Sequence, residues 1–131
     1  MDENFKLDII SPEKTLFSDD VLMVTIPAVE GDMGILKNHI NLITFLKPGI
    51  IRIQLKDKGL NELYVEEGTV EFNNNILTIL SSTVFKMNEL SKDLIEQMIQ
   101  KADQEINGNN LNDKRQFILS NKISVLKNIT I

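Results

Sequence analysis

The chain has 131 residues, of which 42% are hydrophobic and 25% charged, as is typical of one folded domain or one domain with a small appendage. With no cysteine and one histidine, it has no disulfide framework, no thiol nucleophile and no His-rich metal centre. Its 14 basic residues are outnumbered by 19 acidic ones, which excludes a general nucleic-acid binder, since such a protein needs a basic surplus. The longest uninterrupted apolar run, residues 21–24, is far shorter than the ~20 residues of a membrane span.

The first two thirds of the chain predict β-strands. Phe5, Leu7 and Ile9 alternate with polar residues, as in a strand with one buried face. Turn signals follow at short intervals, among them Asp19-Asp20 and the triple Asn at residues 73–75, which suits a tight hairpin because asparagine tolerates positive φ. Many short strands at this spacing favour a sandwich or barrel. The predicted strands, about ten, cover residues 5–9, 16–17, 21–26, 35–36, 41–46, 50–55, 63–65, 69–72, 76–80 and 84–86.

The last third of the chain predicts two helices. Leu90, Leu94 and Met98 begin an apolar row with a spacing of four residues, and Ser91 is suited to cap the first helix. A stop sequence at residues 107–110 precedes a second amphipathic segment, residues 112–128. Neither helix is long enough to be stable alone in water, so the two must pack on each other, on the strands or on a partner. We therefore predict a β-sandwich domain at residues 1–86 and an antiparallel helical hairpin at residues 87–131.

Few residues suggest catalysis. The chain has no phosphate-binding glycine loop, and a single loop histidine such as His39 is more often structural than a general base. The acidic pairs Asp19-Asp20 and Glu66-Glu67 do not converge on one metal or substrate atom, because adjacent residues of a strand point to opposite faces. The phenylalanines occupy strand positions and are interpreted as core rather than as an exposed stacking surface.

The segment of residues 24–49, VTIPAVEGDMGILKNHINLITFLKPG, is the most informative in the chain. Its glycines flank acidic residues between two predicted strands, which is equally consistent with a plain hairpin and with a loop that docks on a partner. The segment resembles the pattern P-x-x-E-G-x-x-G-I-L-P-x-H-x-x-L-x-T-x-L-K-x-G of the epsilon subunit of F-type ATP synthase, called delta in mitochondria. The matching residues are Pro27, Glu30, Gly31, Gly34, Ile35, Leu36, His39, Leu42, Thr44, Leu46, Lys47 and Gly49. The resemblance extends over essentially the whole chain.

This resemblance implies a fold, a function and partners. The expected fold is a ten-stranded β-sandwich followed by a helical hairpin. The expected function is that of a non-catalytic central-stalk subunit of a proton-translocating synthase, which couples rotation to ATP synthesis. The sandwich is expected to bind the gamma subunit and the c-subunit ring, with Ser11 toward gamma and Asp32 near the ring. The subunit is then peripheral, on the cytoplasmic face of the bacterial inner membrane. The partner residues implied by the resemblance are Ser11, Glu30, Gly31, Asp32, His39 and Thr44.

The sequence departs from the family pattern in two loops and in the helices. Lys37-Asn38-His39 lacks the usual proline, and the usual Gly-Gly pair of a later strand is Glu67-Gly68. Some bacterial relatives hold ATP in the hairpin with an Asp and nearby arginines. This chain has Asp93 but no Arg in that helix, so we expect no cofactor and do not predict a nucleotide site.

The two predicted helices carry opposite charge. Residues 89–106 have a net charge of −3 and residues 111–131 a net charge of +3, which favours a closed hairpin. By resemblance, the hairpin reaches the alpha/beta catalytic hexamer and restrains ATP hydrolysis, with Lys114, Arg115 and Lys122 as candidate contacts. We expect this restraint to be weak, because the second helix is rich in Asn, Ile and Val, which are poor helix formers.

Two other functions compete with the stalk subunit. A stand-alone β-sandwich that binds a peptide or sugar would display exposed aromatic residues, and few are expected here. A small hydrolase would use His39 as its base, and loss of turnover in His39→Ala would support it.

Overall fold

The computed structural model describes residues 3–57, 59–108 and 110–129. In this part of the chain nine strands precede a helical hairpin, so the predicted sandwich followed by a hairpin is confirmed. The strands are β1 Phe5–Ile10, β2 Thr15–Ala28, β3 Gly31–Leu36, β4 Leu42–Leu46, β5 Gly49–Leu55, β6 Gly59–Val65, β7 Gly68–Asn73, β8 Ile76–Ser81 and β9 Val84–Lys86. A 3-10 turn at Met87–Glu89 leads to α1 Lys92–Gly108 and α2 Asp113–Lys127.

The sandwich has two layers that the long strand β2 joins. The order β1-β8-β7-β4 forms one layer, and β2, β5, β6 and β9 form the other, with β3 added beside β2. The pairs are antiparallel except β1 with β8, which run parallel. The first half of β2 pairs with β1, whereas its second half pairs with β3 and β5, so this strand passes from one layer to the other.

The strand β2 corrects one sequence prediction. Residues 16–17 and 21–26 were expected as two strands with a turn at Asp19-Asp20, but they form one continuous strand. The turn prediction was wrong because both aspartates keep the ladder with β1, where Asp19 pairs with Leu7 and Asp20 with Lys6. The pairing with β5 is irregular between Val21 and Met23, and bulges of this kind bend a strand. The bend therefore lies just after the aspartates.

The asparagine turn confirms another prediction. Asn73 and Ile76 form the last pair of β7 with β8, which leaves Asn74 and Asn75 as a two-residue loop. Both have positive φ, +52° and +59°, as a type I′ hairpin turn requires. Asn75 also accepts the Asn38 backbone N–H at 2.7 Å through Oδ1, which ties this hairpin to the β3–β4 loop.

The core of the sandwich lies between its two layers. Alternate residues of each strand meet there, among them Phe5 and Phe72, whose rings contact edge to face at 5.6 Å between centroids. The buried members are Phe5, Leu7, Ile9, Val21, Val24, Ile26, Ala28, Ile35, Leu46, Ile51, Ile53, Leu63, Val65, Val70, Phe72, Leu77 and Ile79. All of them belong to strands, so this core is complete without any helical residue.

The helices begin as predicted, and α1 ends at Gly108 within the predicted stop at residues 107–110, of which Asn109 lies outside the described residues. Ser91 caps α1, since its Oγ accepts the Leu94 N–H at 3.0 Å. Asn112 caps α2 by accepting the Arg115 N–H through Oδ1 at 2.8 Å. The hairpin packs on the outer side of the second layer through a smaller cluster, in which Tyr64 of β6 is buried against Leu90, Ile95 and Leu126.

Candidate protein interface

One outer surface of the sandwich is apolar. In the layer β1-β8-β7-β4, Ile10 pairs with Leu80, Leu80 with Thr69, and Thr69 with Phe45, so these four side chains form one row on the same face. Phe45 is 57% exposed and Leu80 47% exposed, and Ile43, which follows the same outward alternation on β4, is 73% exposed. Val29, whose N–H donates to the Phe45 carbonyl, extends the surface. We call Ile10, Val29, Ile43, Phe45 and Leu80 the outer apolar face.

The sequence analysis does not identify the outer apolar face, because it interprets the phenylalanines as core. That interpretation holds for Phe5 and Phe72 but is wrong for Phe45 and Phe117, which are about half exposed. The sequence signal for this face is strand β4, LITFL. Its outward residues Ile43 and Phe45 are apolar, as are its inward residues Leu42 and Leu46. An antiparallel strand with one face in water normally alternates apolar and polar residues, so apolar residues on both faces indicate a partner on the outer one.

Four of the predicted partner residues lie at one end of the sandwich. Ser11 follows β1 and is half-buried, and its Oγ closes a turn by accepting the Lys14 N–H at 3.2 Å. Glu30 and Gly31 form the tip between β2 and β3, where Gly31 has a φ of +133° that favours glycine. Asp32 is exposed and pairs with Pro27. The loop at residues 29–32 thus presents two carboxylates beside the end of the outer apolar face.

The other two predicted residues are placed differently. Thr44 is buried, and its Oγ1 donates to Glu30 Oε1 at 3.4 Å, so its side chain holds the loop rather than facing outward. His39 lies at the opposite end of the sandwich, where its ring packs edge to face on Phe72 at 5.9 Å. Its Nδ1 is 2.8 Å from the Ile40 carbonyl oxygen. The structure therefore does not bring His39 together with the acidic loop.

The predicted cations of the second helix contact acidic residues of this same chain. Lys122 Nζ is 2.8 Å from Glu66 Oε2, and the Tyr64 hydroxyl donates to that oxygen at 3.1 Å. Arg115 is bonded to Glu105 of α1 at 2.7 Å through Nε and to Glu67 at 3.3 Å through Nη1. We call the two pairs Glu66–Lys122 and Glu67–Arg115 the charged clamp, because they join α2 to the β6–β7 turn.

Lys114, the third predicted cation, is exposed beside the outer apolar face. In the described residues 3–57, 59–108 and 110–129 it forms no ion pair, unlike Arg115 and Lys122. A further polar contact, from Asn121 Nδ2 to the Pro48 carbonyl oxygen at 2.6 Å, fixes the middle of α2 on the β4–β5 turn.

The electrostatics of the clamp agree with its geometry. The hydrogen bond from Arg115 lowers the pKa of the Glu105 carboxyl, and the same bond raises the pKa of the Arg115 guanidinium. Burial raises the pKa of the Tyr64 hydroxyl, and the neighbouring Glu66 carboxylate raises it further. Tyr64 thus stays a neutral donor, and Glu66 receives both this hydrogen bond and the Lys122 ammonium.

The described residues offer three surfaces suited to binding another protein. Within the described part of the chain, no group of three His, Asp or Glu side chains is placed to hold a metal ion. None of the helices described there is long and apolar enough to cross a membrane. The surfaces that invite contact are the outer apolar face, the acidic loop and the basic start of α2.

Comparison with known proteins gives a consistent family. The model for the β-sandwich domain of the ATP synthase delta/epsilon chain matches residues 4–87. An ATP synthase epsilon chain of Pelagibacter ubique is 44% identical over 130 residues, which are 98% of this chain and 99% of that relative. The match to an epsilon chain of Nitratiruptor is 38% identical over 73 residues and covers 56% of this chain and 57% of the relative.

Two solved structures share the fold. A chain in the structure of the Euglena gracilis mitochondrial ATP synthase, OSCP/F1/c-ring in rotational state 1, aligns with a TM-score of 0.76 at 15% identity, over 97% of this chain and 79% of that one. A chain in the Tetrahymena thermophila mitochondrial ATP synthase central stalk and c-ring aligns with a TM-score of 0.69 at 16% identity, over 93% and 92%.

Proposed function

The chain belongs to the delta/epsilon family of ATP synthase subunits, and we propose that it is the non-catalytic central-stalk subunit of a proton-translocating synthase. In this proposal it binds the gamma subunit and the c-ring and transmits rotation between them. The observation that carries the proposal is the outer apolar face, because a folded chain rarely leaves Ile43 and Phe45 exposed on one strand unless a partner covers them. The stand-alone peptide- or sugar-binding module is not favoured, since the epsilon relative matches over the full chain.

Each surface has a role in the proposal. The outer apolar face and Ser11 contact gamma, and the loop with Glu30, Gly31 and Asp32 approaches the polar loops of the ring. Thr44 supports that loop from inside through its hydrogen bond to Glu30. The subunit then sits at the cytoplasmic face of the inner membrane and meets the membrane only through the complex.

The experiment is an affinity purification of the tagged chain from its own cells in mild detergent, read by mass spectrometry. Gamma, c, alpha and beta subunits are expected in stalk-like proportion. The variant Phe45→Asp is expected to lose them, because it places a charge within the apolar contact, whereas Leu60→Asp, the same charge at an exposed residue of β6 in the other layer, keeps them. Recovery of the wild-type chain alone from cells with an intact synthase contradicts the proposal.

The hairpin has a second role in the proposal, as a weak restraint on ATP hydrolysis through Lys114, Arg115 and Lys122. The charged clamp supports a weak restraint, because Arg115 and Lys122 must leave Glu67 and Glu66 before they can contact the catalytic hexamer. ATPase activity of the assembled complex with and without residues 88–131 tests this role. Little change is expected, and a several-fold rise on truncation would show a strong restraint.

We also propose residues 1–86 and 87–131 as separate domains. The support is that the sandwich core contains only strand residues, and that the family model ends at residue 87. A chain that ends at Lys86 is expected to keep a cooperative unfolding transition. Loss of that transition would show that the hairpin completes the core.

A further inference from the structure

A groove separates the outer apolar face from the start of α2. Its volume is about 980 Å³, and its lining comes from both domains. The sandwich contributes the outer apolar face except Ile43, together with Ser11 and Thr69, and α2 contributes Lys114, Phe117 and Ile118. The hairpin therefore forms one wall of a surface whose floor is the face proposed to bind gamma.

The α2 wall has the character of a binding surface. Phe117 is 50% exposed, although neighbouring Ile118 and Leu119 of the same helix are buried. Lys114, one turn earlier, places an ammonium at the rim without an ion-pair partner in the described part of the chain. An apolar floor, an aromatic wall and a basic rim fit a protein segment that presents apolar side chains and a carboxylate.

The position of this wall depends on the charged clamp. Glu67 both lines the groove and binds Arg115, and Glu66 binds Lys122 about two turns further along α2. The β6–β7 turn that carries both acids is itself fixed, since the buried Ser81 Oγ donates to the Glu67 carbonyl oxygen at 2.9 Å. Gly68 is required there, because a Cβ atom would collide with the Leu80 carbonyl oxygen. The clamp thus holds Phe117 and Lys114 over the groove.

We propose that the docked hairpin is part of the gamma-binding site, and that this groove receives an apolar segment of gamma with a carboxylate toward Lys114. The inference rests on the proposed function, because the groove is continuous with the outer apolar face. In this complex the start of α2 is packed between gamma on one side and the sandwich on the other. By thermodynamic linkage, gamma binding stabilises the docked hairpin, and a docked hairpin tightens gamma binding by the same factor.

The test measures the affinity of the purified full chain for the recombinant gamma subunit of the same organism. Phe117→Ala and Lys114→Glu are expected to weaken binding about tenfold, because each removes a direct contact. Gln116→Ala, exposed on the same helix but outside the groove lining, is the matched control and is expected to bind as the wild type does.

The clamp gives the sharper test, because Glu66 and Lys122 do not line the groove. Glu66→Lys is expected to weaken gamma binding several-fold, because it releases α2 from the sandwich. The swap, which combines Glu66→Lys with Lys122→Glu, exchanges the two charges and is expected to restore gamma binding. Added gamma is expected to slow amide hydrogen exchange of α2 in the wild type. Circular dichroism confirms that each variant is folded.

The outcomes separate the two proposals. If Phe45→Asp abolishes binding while Phe117→Ala and Glu66→Lys bind fully, gamma uses the sandwich alone and this inference is overturned. If the wild-type chain does not bind gamma, the proposed function itself fails. It also fails if Phe45→Asp binds gamma as tightly as the wild-type chain does. If Glu66→Lys weakens gamma binding and the double variant Glu66→Lys with Lys122→Glu does not restore it, the charged clamp is not what couples the hairpin to gamma binding.

Discussion

The sandwich and the hairpin are held together by different forces. The sandwich encloses a continuous core of strand residues, of which most are fully buried. Among its described residues the hairpin buries only Leu90, Ile95, Ala102, Ile118, Leu119 and Leu126, and it adds the charged clamp and one amide contact to Pro48. A closely packed core of apolar side chains resists rearrangement, whereas exposed ion pairs exchange readily with water or with another protein. From this difference we expect the sandwich to stay fixed and the hairpin to be the part whose position responds to a partner.

The largest effect is expected from a cavity in the sandwich. Phe72→Ala removes a ring that is 1% exposed and packs on Phe5 and His39, so it is expected to lower the free energy of unfolding by about 3–5 kcal/mol. Phe117→Ala deletes the same atoms from the exposed wall of the groove and is expected to cost below ~1 kcal/mol. Urea unfolding measures the free energy of unfolding of both variants, and equal losses in the two would contradict this expectation.

A cavity under the hairpin is expected to have a smaller and more local effect. Leu126→Ala empties a site that is 1% exposed beside Tyr64, Leu90 and Ile95, which costs about 2–4 kcal/mol of local stability. Hydrogen exchange is expected to accelerate in α1 and α2 while the amides of β1, β7 and β8 keep their protection. Faster exchange in all strands would show that the two regions unfold as one unit.

Breaking one ion pair of the charged clamp is expected to have the next largest effect. Lys122→Met keeps the aliphatic stem but removes the ammonium from Glu66, where both side chains are about one fifth exposed, and it is expected to cost about 1 kcal/mol. Arg52→Met breaks the more exposed pair Arg52–Glu62 within the sandwich and is the matched control, expected to cost a few tenths of a kcal/mol. Thermal unfolding of the two variants decides whether the clamp stabilises more than an ordinary surface pair.

Acid is expected to loosen the hairpin slightly. The hydrogen bond from Arg115 lowers the pKa of Glu105, so the folded state binds a proton less readily there than the unfolded state. The resulting stabilisation is present above the ordinary pKa, about 4.5, and is lost as the pH falls through the lowered value. Glu105→Gln is expected to flatten this part of the pH profile of thermal unfolding, and Glu96→Gln on the same helix is expected to leave it intact.

The elements that were predicted correctly are those with a local cause. The tight turn at the asparagines, the cap at Ser91 and the alternation in β1 each depend on residues a few positions apart. The turn expected at Asp19-Asp20 failed because a tertiary contact prevailed over a local preference. Pairing with β1 holds those two aspartates in a strand, where their side chains remain exposed.

The sequence by itself determined the sandwich, the hairpin and the family, because periodicity, turn residues and the ordered pattern of residues 24–49 are all written along the chain. Only the tertiary structure decided which side chains share a surface. It separated His39 from Glu30 and Asp32, turned Thr44 inward, exposed Phe45 and Phe117, and paired Arg115 and Lys122 with the β6–β7 turn. The ion pairs of α2 with the β6–β7 turn join residues about 50 positions apart. Which side chains meet follows from how β2 passes between the layers and how α2 lies against them, and neither has a local signal.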